Sequence, residues 1–236
     1  MNEDLNAEIG ENGFYERLAH RSIENLNRRG IKAQYASDKK EALSIVMEMI
    51  PPGVSVGTAD SMTLLQVGII SALKKRGRND IFNPFERDAG GNRVFQGEQK
   101  EDLKRKAFFS DVFVIGTNAV TLDGKLVNTD AGGNRVAAMI FGPKKVIVVV
   151  GANKIVKDLE GALRRIREVA APQNVIRIGT KHHSAEHMEL PCAVSGICSD
   201  CNHPRRICRY TTIIEGVSSE HRGRINVVLV GERLGI

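Results

Sequence analysis

SDVFVIGTNAVTLDGKLVNTDAGGNRVAAMIFGPKKVIVVVG, residues 110–151, is the most patterned part of the chain. Its ends, DVFVIG (111–116) and KKVIVVVG (144–151), each contain an unbroken apolar run. A strand exposed on one side alternates apolar with polar residues. An all-apolar strand belongs to a sheet covered on both faces. Between the two, TLDGKLVNTD (121–130) predicts a hairpin turning at Asp123–Gly124, and RVAAMIFG (135–142) predicts a helix.

The flanking sequence repeats this alternation. Residues 12–29 space Phe14, Leu18, Ile23 and Leu26 as a helix, stopped by Gly30. IKAQYA (31–36) predicts a strand, and Ser37 or Asp38 caps the next helix, which ends at PPG. VSVG (54–57) is a short buried strand, 58–77 a turn and helix, and 101–109 a further helix. Asp80–Gly97 is irregular. A basic amphipathic helix is expected over 154–170, then strands at NVIRIG (174–179) and INVVLVGE (225–232). Strands alternating with helices imply an α/β fold, a Rossmann-like, mostly parallel sheet with helices on both faces.

The 236 residues are 42% hydrophobic and 5% aromatic, with no Trp, as in an aliphatic α/β core. No apolar run nears the roughly 18 residues that span a bilayer, so no membrane insertion is expected. The polar, acidic start MNEDLNAEIG lacks the pattern of a signal peptide, which implies a cytoplasmic protein. The net charge of +6 is scattered, without a basic stripe interleaved with aromatics. That argues against nucleic acid and for a small anionic substrate, a carboxylate or phosphate, or an acidic partner.

Three segments carry candidate chemistry. TADSMT (58–63) sits between a buried strand and a helix, where free N–H groups and the helix dipole suit an anion. Thr58, Ser61 and Thr63 are its candidate binding residues, although spacing alone favours Asp60 or Ser61 as a simple helix cap. GTNAVTLDGKLVNTDAGGNR (116–135) begins at a strand's carboxyl end, where open α/β sheets hold ligands. Asn118, Gly132, Gly133, Asn134 and Arg135 are its candidates, with glycines for close approach and a guanidinium fork for an anion. No GxGxxG fingerprint, Walker lysine or GxSxG elbow is present.

The third is PCAVSGICSDCNHPRRICR (191–209), which holds all four cysteines: Cys192, Cys198, Cys201 and Cys208. Its central C-x2-C suits two thiolates on one metal ion or cluster, so either zinc or an iron–sulfur cluster is expected, against disulfides or free thiols. His203 is a substitute ligand. His182, His183 and His187 read as surface polarity. One further oddity is that DAGGNRV occurs twice, at Asp88–Val94 and Asp130–Val136, with unrelated flanks. A duplicated fold unit would carry its flanks along, so the working loop is assigned to the second copy and the first to coincidence.

VGTADSMTLLQVGIISALKKRG (56–77), residues 110–156 and CAVSGICSDCNHPRRICR (192–209) resemble the lactate-utilization (LUD) domain family. The resemblance covers nearly the whole chain. It implies one domain over 1–236, with the cysteine segment as an excursion at about 190–210, and a fold similar to the sugar-phosphate isomerase and CoA-transferase superfamily. It further implies a component of L-lactate to pyruvate oxidation, working with other subunits of an iron–sulfur-containing system. Two alternatives stay open: a stand-alone transferase or isomerase acting on a sugar phosphate or acyl-CoA, and a non-catalytic module that senses a carboxylate. An enzyme of the first kind needs a carboxylate as nucleophile or base, for which Asp60, Asp123 and Asp130 are the nominees.

Overall fold

A computed structural model describes residues 3–182 and 184–236. Helix α1 (Glu3–Arg28) leads into β1 (Lys32–Ala36), and α2 (Lys39–Met49) into β2 (Val56–Thr58). Helices α3 (Met62–Val67) and α4 (Ile69–Arg76) precede the short β3 (Ile81–Phe82). Helix α5 (Gly97–Phe108) leads to β4 (Val112–Gly116) and then to the hairpin of β5 (Ala119–Thr121) and β6 (Leu126–Asp130). Helix α6 (Asn134–Ile140) precedes β7 (Lys145–Gly151), followed by β8 (Ile155–Val156). Helix α7 (Leu159–Arg165) continues through a π-helical segment, Ile166–Ala170, into α8 (Ala171–His182). Helices α9 (Ala185–Met188) and α10 (Pro191–Ser195), the cysteine segment, β9 (Tyr210–Ile214) and β10 (Ile225–Val230) complete the order.

Six strands form one parallel sheet in the order β1-β10-β7-β4-β2-β3. The apolar runs of β4 and β7 are explained by its two faces. Phe113, Ile115, Val146, Val148 and Val150 point into a core shared with α1, α5 and α6. Val112, Val114, Ile147 and Val149 point into the opposite core, under α2, α3 and α4. This is period-two alternation with both sides buried.

The chain leaves β2 toward β3 and leaves β4 the other way, toward β7. Such a reversal opens a crevice at the carboxyl ends of β2 and β4, the usual ligand position in open parallel sheets. A second sheet, β8-β5-β6-β9, hangs beside that crevice. Its β9 pairs antiparallel with β6, from Leu126↔Ile214 to Asp130↔Tyr210. That pairing holds the cysteine segment, which precedes β9, against the crevice.

One expected element is absent. NVIRIG (174–179) is not a strand but part of α8. Pro172, Val175 and Gly179 are the buried positions, at intervals of three and four, while Ile176 is exposed. Burial at that spacing is helical, and α8 extends a helix already running from Leu159. The helix expected over 154–170 starts instead at Leu159, where Asp158 accepts from the Gly161 N–H as N-cap.

Candidate functional site

A cleft of about 460 Å³ opens at the carboxyl ends of β2 and β4. The turn after β2 contributes Asp60 and Ser61, and the loop after β4 contributes Asn118. The loop before α6 supplies Asp130, Gly132, Asn134 and Arg135. Helix α8 and the segment from Pro204 to Arg209 close the other sides. The two loops singled out in the sequence therefore face one space.

Within that space the expected binding residues divide by role. Ser61 accepts from the Leu64 N–H at 3.4 Å as N-cap of α3. Thr58 is buried, and its hydroxyl donates to the carbonyls of Val114 and Ala59. Thr63, also buried, accepts from Lys154 Nζ at 3.1 Å. Gly133 lies against the Tyr210 ring.

Arg135 is the centre of a buried network. Its Nη1 donates to Asn128 Oδ1 at 2.6 Å and the Gly116 carbonyl at 3.4 Å. Its Nη2 donates to the Thr129 carbonyl at 2.6 Å and Asn118 Oδ1 at 3.1 Å. Asp130 stands 3.9 Å from Nε. Asn118 Oδ1 also accepts from the Thr129 N–H, and Asn128 Nδ2 donates to Thr117 Oγ1, each at 2.9 Å. The guanidinium fork thus grips protein oxygens and fastens the β4 end to β6, forming the floor of the cleft. Burial pushes its pKa below the ordinary arginine value.

The nominated carboxylates are separated. Asp60 pairs with Arg177 Nη2 at 2.7 Å on the cleft wall. Asp130 accepts from the Arg135 N–H at 3.1 Å. Asp123 lies at the hairpin turn, paired with Arg29 at 3.3 Å and Lys125 at 3.2 Å, and does not line the cleft.

Positive charge dominates the lining. Eight lysines and arginines face two aspartates. Lys100 lies over the Phe85 ring, its ammonium 5.0 Å from the centroid, and its pKa is lowered by burial and by the charges of Arg93 and Lys104. Lys154 is buried, and burial, then Arg165 and Arg135, lowers its pKa to about 7. Such a site carries an excess of positive charge, and an anion would offset it. Sequence reading missed Lys100, Lys154 and Arg177. Arg177 was hidden by the expectation of a strand. Lys154 had only a signal of context, a lone lysine in GANKIV just past a buried strand.

The two DAGGNRV copies differ in their hydrogen bonds: Asp88 Oδ1 accepts from the N–H of Asn92, four residues on, at 2.8 Å, whereas Asp130 Oδ2 accepts from that of Arg135, five residues on. The second glycine of each pair, Gly91 and Gly133, has φ +82°, a left-handed value that favours glycine. Arg135 lines the cleft and Arg93 does not. The repetition extends to the left-handed glycine and not to the cleft.

The four cysteines are free thiols, each partly buried. All four line one small cavity of about 20 Å³. Burial raises the Cys192 pKa, and Cys201 and Cys208 add to the rise. Arg206 Nε is 3.2 Å from Cys208 Sγ, and its Nη1 donates to the Cys201 carbonyl. Arg206, Ile207 and Cys208 line this cavity and the cleft alike. Among the described residues, no three His, Cys, Asp or Glu side chains are gathered as ligands of a single ion. His187 lines the cleft; His183 and the His182 side chain lie outside the described residues. No described helix is long and apolar enough to cross a membrane.

Among solved structures the chain is similar to a DUF162 family protein from Deinococcus radiodurans, with a TM-score of 0.49 and 13% identity. The alignment covers 92% of this chain and 97% of that one. No functionally curated protein matches. The model of the LUD domain matches residues 19–230, so the chain belongs to the LUD domain family, which is linked to lactate utilization.

Proposed function

We propose that this protein is a component of L-lactate to pyruvate oxidation, in which the cleft holds a small carboxylate and the four cysteines hold an iron–sulfur cluster. The observation that carries the reading is the shared wall. Arg206, Ile207 and Cys208 border both the cation-rich cleft and the thiol-lined cavity. The donor set fits a cluster. Four thiols surround a common cavity, and Arg206 offsets thiolate charge. When bound, such a cluster supplies one-electron transfer.

The chain's own residues bind and orient the substrate. Lys100 and Arg177 supply the charge for the carboxylate, and Asn134 offers an amide. The network around Arg135 keeps the floor rigid. Oxidation of a 2-hydroxy acid to a 2-oxo acid releases two electrons and two protons; the electrons pass to an acceptor on partner subunits. Protein purified without oxygen tests both halves. Iron with broad absorption near ~400 nm is expected of thiolate-ligated clusters, together with calorimetric binding of L-lactate or pyruvate. Zinc without iron would make the cysteine site structural, and absent binding of either acid would remove the carboxylate assignment.

A further inference from the structure

Lys154 is a buried lysine without an acid. The residue is 5% exposed, and its Nζ donates to Thr63 Oγ1 at 3.1 Å. Among the described residues no carboxylate forms an ion pair with it within 4.0 Å. The charges that reach it, those of Arg165 and Arg135, repel it. Arg165 is itself committed, donating to the Asn118 carbonyl at 2.7 Å. Holding an ammonium here is strongly unfavourable, so the amine is driven toward its neutral form, with a pKa of about 7.

A structural lysine needs no such setting, because a methionine would fill the volume without burying a charge. A neutral amine opening on a ligand cleft has a chemistry of its own. Desolvation beside other cations prepares a lysine to attack a carbonyl. Lys154 lines the same space as Ser61, Asn118 and Asn134. It sits in the turn after β7, at the carboxyl edge of the sheet.

We propose that Lys154 attacks the carbonyl carbon of a 2-oxo acid held in the cleft and forms an imine with it. The nitrogen lone pair makes the new N–C bond as the C=O π electrons move onto oxygen. The nitrogen then gives up its two protons to that oxygen, which leaves as water, and C=N replaces C=O. Thr63 Oγ1, beside Nζ, relays a proton between them. No electrons are gained or lost, so no further reagent is required. The inference rests on the anion-cleft reading for seating the acid's carboxylate, and it adds a covalent step.

The experiment incubates the full chain with pyruvate, and separately with glyoxylate, then adds sodium borohydride and maps the modified peptides by mass. Calorimetry measures pyruvate binding in parallel. One reduced pyruvyl group on Lys154 is expected, dependent on pyruvate, with surface lysines at background. Lys154→Met should lose that label, with surface lysines still at background. Pyruvate binding without labelling, or labelling spread evenly over surface lysines, overturns the imine and leaves the cleft reading intact. No pyruvate binding and no labelling by either acid overturns both. If Lys154→Met fails to fold, the map of the parent protein still decides.

Discussion

Arg135 shows how a residue chosen for one role serves another. Its expected use was as a fork for an anion, but four oxygens of the protein occupy it. Replacing it with Met would remove all four of those hydrogen bonds from a buried place, at a cost of about 2–4 kcal/mol. Urea unfolding should show that loss, and a loss under about 1 kcal/mol would mean the network is dispensable. Lys154 predicts the opposite sign. Its pKa falls from the ordinary 10.5 to about 7 on folding. Between those values the unfolded chain binds a proton that the folded chain does not, so stability rises with pH by up to about 1.4 kcal/mol per unit. Below pH 7 both states hold the proton and the burial penalty is fully present. Lys154→Met should therefore exceed the parent in stability most at pH 6, and the gap should narrow by pH 9. A gap independent of pH would show that the amine does not titrate there. Neither role was legible in the sequence. Residue type and loop position were visible, but the partners of Arg135 lie up to nineteen positions away.

Elements were read well where burial and pattern agreed. The runs of β4 and β7 mark a doubly covered sheet because every residue from Val146 to Val150 is buried. The DG turn marked the β5–β6 hairpin, and the structure shows why glycine sits there. Gly124 has φ +85°, and a Cβ would lie 2.5 Å from the backbone carbon of Asn25 in α1. Neither a strained φ nor a backbone overlap relaxes easily. Gly124→Ala should cost about 2–4 kcal/mol in thermal or urea unfolding; an unchanged midpoint would mean the hairpin lifts from α1 without penalty. Reading failed at 174–179, where a short apolar run is ambiguous between strand and helix. There, Pro172 follows a π-helical turn in which the Ala171 N–H reaches back to the Ile166 carbonyl. A proline lacks the donor an α-helix needs and crowds the preceding turn. The wider turn before it lets the helix continue, and nothing in residue order announces that.

At the scale of the whole molecule, the proposed function depends on two cavities assembled from distant segments. The loops at 59–62, 116–118, 129–135 and 154 form one side of the cleft, and the segment 192–208 brings the thiols and, from 204 onward, the opposite wall. Pairing of β9 with β6 brings them together, and the Arg209 N–H donates to the Asp130 carbonyl at 3.0 Å. Each cavity could be suspected from its motif, but their contact could not, because it is created by a strand after the cysteines joining a hairpin before them. That contact carries a prediction. A cluster bound by the four thiolates would draw Arg206 toward the sulfur side and fix Cys208, changing the cleft wall both cavities use. Pyruvate affinity should then differ between iron-loaded and metal-free protein, by about 5- to 150-fold if the coupling is of ordinary size. Linkage requires pyruvate to alter metal affinity by the same factor. Loading should also raise the melting temperature, since metal bound only by the folded state stabilises it. Calorimetry on both forms measures the first effect and competition with a chelator, with and without pyruvate, the second. Equal pyruvate affinities in the two forms would show that the shared wall does not move, and that the cavities are neighbours without being coupled.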